Sequence, residues 1–120
     1  MSIDAFFNRT YNPNTYNCAH FVTEVWEHVT GSNIEGIMQG FLLPVKDRFA
    51  KTSLRHSFKR LKSPEHMALV LMRRPKTTPH VGLFYNGKVL QIERTGVTYL
   101  PLKIATLGFS KVSFYKCQTP

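Results

Sequence analysis

Three residues at three separate places in the chain can support nucleophilic acyl chemistry: Cys18, His80 and Gln91. Cys18 opens a stretch in which Cys18, Phe21, Val22, Val25, Trp26 and Val29 recur at i, i+3, i+4, i+7, i+8 and i+11, one face of a helix. A thiol in the first turn of a helix lies beside unpaired backbone N–H groups and the positive end of the helix dipole. Both favour the thiolate, so a pKa below the free value of about 8.5 is expected for Cys18. Such a nucleophile takes its base from elsewhere in the fold. Cysteine is also among the most buried residue types, and by itself Cys18 reads more readily as a small core residue.

His80 changes that balance. It begins the run His80-Val81-Gly82-Leu83-Phe84-Tyr85, which is followed by Asn86-Gly87 and then Lys88-Val89-Leu90-Gln91-Ile92. Asn-Gly between alternating apolar runs marks a two-residue hairpin turn, because both turn positions need positive φ. The turn sets a register: Tyr85 faces Lys88, Phe84 faces Val89, Leu83 faces Leu90, Gly82 faces Gln91, Val81 faces Ile92 and His80 faces Glu93. Alternation puts His80, Gly82, Phe84, Val89, Gln91 and Glu93 on one face. Gln91 is then the diagonal neighbour of His80 at roughly 7–8 Å between backbones, with a glycine leaving room between them. A polar partner that fixes an imidazole tautomer completes a Cys–His–polar triad. Glu93, directly opposite His80, is the alternative orienting group.

The elements that would carry these residues divide the chain into a helical first half and a strand-rich second half, the pattern of an α+β domain. The first helix runs from Cys18 to about Val29, with Asn14, Thr15 and Asn17 as capping residues and Gly31 as its stop. Residues 32–44 read as irregular. Pro44 opens a second helix, with Val45, Phe49, Leu54, Phe58 and Leu61 as a thin apolar stripe and Pro64 as its end. Five mostly antiparallel strands follow: 67–72, 81–85, 88–92, 97–100 and 112–115. Residues 73–79, with two prolines, form a loop.

Composition bounds the answer. A chain of 120 residues is expected to be a single domain over 1–120, and 42% hydrophobic residues with nine Phe, five Tyr and one Trp exclude a disordered tail. No apolar run approaches the roughly 20 residues of a membrane helix. Residues 1–9 lack the apolar core of a signal peptide, so synthesis and folding in a reducing cytosol are expected. Cys18 and Cys117 could pair on parity alone, a bridge disfavoured in that compartment. No metal-ligand spacing is present and no cofactor is implied. The net charge of +9 favours anionic partners, and ten of the sixteen basic residues lie between Lys46 and Lys76 among two acids. That stretch has no zinc-finger spacing or recognition-helix pattern, which argues against nucleic acid as the partner.

The segment Tyr16-Asn17-Cys18-Ala19-His20-Phe21-Val22 opening a helix, followed by His80-Val81-Gly82-Leu83-Phe84-Tyr85 and a strand with polar Gln91, resembles the NlpC-type papain-like cysteine peptidases. The likeness spans about residues 11 to 100 and skips 32–62. The family pattern reads Asp-Cys-Ser-Gly, then His-Val-Gly-Ile/Leu-Tyr, then a polar third residue. Here Asn17, Ala19 and His20 stand in place of Asp, Ser and Gly, and Glu65-His66 replaces a Gly-Asp pair. The resemblance implies a papain-like fold, with the Cys-bearing helix packed on the sheet. It also implies Cys18 as nucleophile, His80 as base and Gln91 as third residue, with Tyr11 or Tyr16 near the oxyanion site.

The activity so implied is hydrolysis of a peptidoglycan stem-peptide amide. Short members resemble components of bacteriophage tail tips, so the expected partners are the wall peptide and other tail proteins, and the expected location is the virion at the cell wall. A tail-assembly protein that keeps the fold and cuts nothing is the rival expectation. A related acyltransferase would use the same thioester chemistry. His20 is set aside as the base, since residues i and i+2 do not face each other on a helix.

Overall fold

The computed structural model describes residues 3–34, 58–77 and 79–117. After a 3-10 turn at Asp4–Phe6, the chain forms helix α1 (Cys18–Thr30). Strands β1 (Phe58–Leu61), β2 (Ala68–Arg73), β3 (His80–Tyr85), β4 (Lys88–Glu93) and β5 (Gly96–Leu100) follow, then a short helix α2 (Leu102–Ala105) and strand β6 (Lys111–Cys117). The described residues therefore make an α+β domain with one six-stranded antiparallel sheet, in the order β1-β6-β2-β3-β4-β5, and two α-helices.

α1 starts where its sequence says it should. The Asn17 side chain accepts from the backbone N–H groups of Ala19 (3.0 Å) and His20 (3.3 Å), and the His20 ring Nδ1 accepts from the Asn17 N–H (3.1 Å). This reciprocal capping box satisfies donors that the first helical turn would leave unpaired. Gly31, with φ 79°, closes the other end, its N–H bonding the Glu27 carbonyl. The helix buries Phe21, Val22, Val25 and Trp26 against β3 and β4.

The β3–β4 hairpin has the expected pairs Leu83↔Leu90, Phe84↔Val89 and Tyr85↔Lys88. Asn86 (φ 45°) and Gly87 (φ 88°) supply the two left-handed positions that the turn demands. β2 is apolar along its length because it is covered on both sides. Leu69 and Leu71 join Val81, Leu83, Leu90 and Ile92 under α1, whereas Val70, Met72 and Val89 face Ala105, Phe84, Phe109 and Phe114. From β5 the chain returns through α2 and β6 enters the sheet between β1 and β2.

Two expectations need correction. The sheet has six strands rather than five, because Phe58 and Leu61 do not lie on a helical stripe. They form β1 and pair with Cys117 and Phe114 of β6. Apolar residues at positions 58 and 61 fit a helix or a strand end equally, and the free edge of β6 decides between them. The rest of that expected helix, up to residue 57, lies outside the described residues. Helix α2, four residues long, carries too little periodicity to be read from sequence. No disulfide joins Cys18 and Cys117. Among the described residues no helix is long and apolar enough to cross a membrane.

Candidate active site

Cys18 reaches the end of the sheet from α1. The backbone N–H groups of Val81, on β3, and of Ala19 and Cys18 itself lie near enough its sulfur to favour the thiolate. Burial dominates nonetheless and pushes the thiol above its ordinary value, against the pull of these three donors. This differs from the lowered pKa expected of a helix-terminal cysteine. The side chain is almost fully covered, so the charge loses more hydration than the N–H groups return, and the resting group is a neutral thiol.

His80 begins β3, with Met72 of β2 as its cross-strand partner. Its Nε2 lies 2.7 Å from Oε1 of Gln91, so the ring N–H donates to the amide oxygen. That bond fixes the tautomer and leaves Nδ1 as the basic nitrogen. Gln91 is itself buried, at 1% exposure, among apolar neighbours. An amide there has little alternative to this bond, which ties the two side chains together. Burial lowers the His80 pKa; the Gln91 hydrogen bond and the Glu93 carboxylate raise it, and the Arg74 guanidinium lowers it. A neutral imidazole near pH 7 results.

Gly82 makes the pairing feasible. A Cβ there would stand 2.9 Å from Val89 Cγ1, 3.3 Å from Met72 Cε and 3.4 Å from the Gln91 Cβ. Only a bare backbone fits between β2 and β4 at that point.

Cys18 and His80 line one cavity of about 440 Å³. Tyr11, Ile92, Glu93 and Phe109 share its wall, and Arg74 and Arg94 supply positive charge. The thiol and the imidazole make no direct hydrogen bond to one another. Of the two tyrosines offered for the oxyanion site, Tyr11 is in the cavity. Tyr16 is turned away: its hydroxyl donates to Glu24 (3.0 Å), which also holds Arg9 (2.7 Å). Burial, then that bond to Glu24, pushes the Tyr16 phenol up to about 12. Tyr16 thus braces the start of α1 and takes no place beside the thiol. The bridge between Asn12 and Tyr16, and the Asn12 side chain accepting from the N–H groups of Asn14 and Thr15, fold the turn that precedes Cys18.

The sequence reading missed Phe109 and Arg74. Both lie in loops, and nothing in their local pattern ties residue 109 to residue 80. His20, set aside as a base, is part of the helix cap. Among the described residues no three His, Cys, Asp or Glu side chains converge as a metal site. No protein-family model matches the sequence, and no curated protein shows significant similarity to it.

Proposed function

We propose that the chain is a papain-like cysteine peptidase of the NlpC type that hydrolyses a stem-peptide amide of peptidoglycan, as a tail-tip component of a phage virion. The observation that carries this reading is the shared cavity: a helix-terminal thiol and a Gln91-bonded imidazole on the same wall. The two groups start neutral, which suits a pair that transfers its proton on substrate binding.

In this mechanism the Cys18 S–H proton passes to Nδ1 of His80 as the sulfur attacks the scissile carbonyl carbon. The new imidazolium keeps its Nε2–H bond to Gln91. The oxyanion is met by the backbone N–H of Cys18 and by the Tyr11 hydroxyl. Collapse of the tetrahedral intermediate expels the amine, which takes the proton back from His80. Water, deprotonated by His80, then attacks the thioester and releases the carboxylic acid, restoring the thiol. Glu93 supports the imidazolium electrostatically from the cavity wall. The positive charge from Arg74 and Arg94 suits a substrate that bears carboxylates.

A second reading, a tail-assembly protein that cuts nothing, is favoured by one observation: the buried thiol makes no hydrogen bond to the imidazole. The two readings part on isolated peptidoglycan. The peptidase reading expects new amine and carboxyl ends, identified by mass, from wild type, and none from Cys18→Ser or His80→Ala. Release that persists in both variants overturns the mechanism. A wild type that is inactive on every wall type while still assembling into a larger particle establishes the structural reading.

A further inference from the structure

Phe109 stacks beside His80 in an offset, nearly parallel arrangement. The ring centroids are 5.9 Å apart and the planes are within 11° of parallel. Gln91 holds one edge of the imidazole, but a single hydrogen bond leaves the ring free to rock about it. A flat aromatic surface against the face removes that freedom.

The loop that delivers Phe109 is tied down on both sides. The Phe109 N–H bonds the Thr106 carbonyl at 3.2 Å, just past α2. The N–H and the hydroxyl of Ser110 both bond the Arg73 carbonyl, at 2.9 and 3.1 Å. The Arg74 guanidinium sits 4.1 Å from the Phe109 ring centroid, and its Nε donates to the Gly108 carbonyl at 3.1 Å. Residues from the end of β2 thus grip the loop before β6 and set the aromatic plate over the histidine. Among the described residues no carboxylate pairs with Arg74; its guanidinium lies over the ring and holds the loop from the cavity wall.

We propose that Phe109, clamped by Arg74, is a positioning residue for His80: its ring holds the imidazole plane and shields one face from water, so that Nδ1 stays directed to the cavity. The catalytic consequence rests on the cysteine-peptidase reading; the stacking itself does not. The groups that act on His80 are Gln91 and Glu93 from β4 and Arg74 after β2; the Cys18 thiol from α1, Tyr11 and Arg94 share its cavity. Removing the ring admits water to the imidazole and releases Arg74 from its seat. Both changes favour protonation of His80, while Gln91 and Glu93 stay in place.

The test is an NMR titration of the His80 imidazole, with the rate of Cys18 alkylation against pH in the same proteins. Cys117→Ser supplies a background with one thiol. The variants are Phe109→Ala, Phe109→Leu and Phe109→Tyr. Wild type is expected to titrate below the ordinary histidine value of about 6.5. Phe109→Ala moves the midpoint up toward that value and slows alkylation near pH 7 by about tenfold or more, the scale of a misplaced general base. Phe109→Tyr restores both, because it keeps the plane; Phe109→Leu keeps the bulk but not the plane and falls between. An unchanged His80 midpoint in folded Phe109→Ala overturns the proposal, as does a Phe109→Tyr variant no better than Ala. Should Phe109→Ala fail to fold, the Leu variant decides by the same criterion. Wild type that leaves peptidoglycan intact but shows the Phe109-dependent titration removes the hydrolase reading and retains the positioning role.

Discussion

Under α1, the sheet presents Leu69, Leu71, Val81, Leu83, Leu90 and Ile92, a layer whose buried polar member is the small side chain of Ser113 opposite Leu71. The other face also has an apolar centre, in Val70, Met72 and Val89, yet it buries the amide of Gln91 and carries His80 at its end. The first face is closed by a thirteen-residue helix; the second is covered by the short α2 and the Phe109 loop. Apolar packing is thus concentrated on one side, and the buried polar pair lies on the other. The thiol comes from the helix side, the imidazole from the thin side, and both line a cavity at the start of β3. A face devoted to packing tolerates no polar group without a partner, whereas a face with a glycine gap can hold an amide–imidazole pair.

The largest effect that would test this division is a truncation on the helix side. Phe21→Ala removes a fully buried ring and should cost about 3–5 kcal/mol. Phe84→Ala, on the thin side and only half-buried, should cost about half of that or less, in proportion to the area it covers. Equal losses in denaturant unfolding would erase the distinction between the faces.

An intermediate effect is expected at the glycine gap. Gly82→Ala drives a methyl into Val89 and Met72 and should destabilise by about 1–3 kcal/mol. Combining it with Val89→Ala removes the closest contact, so the double variant should lose less than the sum of the two singles. Strict additivity would show that the thin face has slack that the contact distances deny.

The smallest effect is electrostatic. The folded-state pKa of His80 is below its unfolded value, so between the two the unfolded chain binds the extra proton. Stability is therefore fully present above about pH 6.5 and declines as the pH falls from there through the folded-state pKa. His80→Asn should flatten that slope in unfolding curves recorded at several pH values. Gln91→Ala should steepen it, since the lost hydrogen bond is one of the influences holding the His80 pKa up. The same slope in wild type and His80→Asn would show that another group carries the acid sensitivity.

The helix at Cys18 and the 83–90 hairpin were legible because their signals are local: a 3.6-residue apolar period with an Asn cap, and an Asn-Gly turn that fixes register by counting. The partnership of His80 with Gln91 followed from that register and the glycine between them, and the 2.7 Å bond reflects it. Two other points were not legible. Phe58 and Leu61 join β6 because a distant strand offers an unpaired edge, and Tyr16 turns from the thiol because Glu24, two helical turns along, takes its hydroxyl.

The sequence by itself determined which segments become helix and hairpin and which polar residues share a strand face, because backbone hydrogen bonding and side-chain alternation depend on near neighbours. Only the tertiary structure decided that Cys18 and His80 share a cavity, that burial outweighs the nearby N–H groups at the thiol, and that Phe109 stacks beside the histidine with Arg74 over its ring. Desolvation and stacking depend on everything packed around a group, and residues brought together from positions 18, 74, 80 and 109 have no common period along the chain.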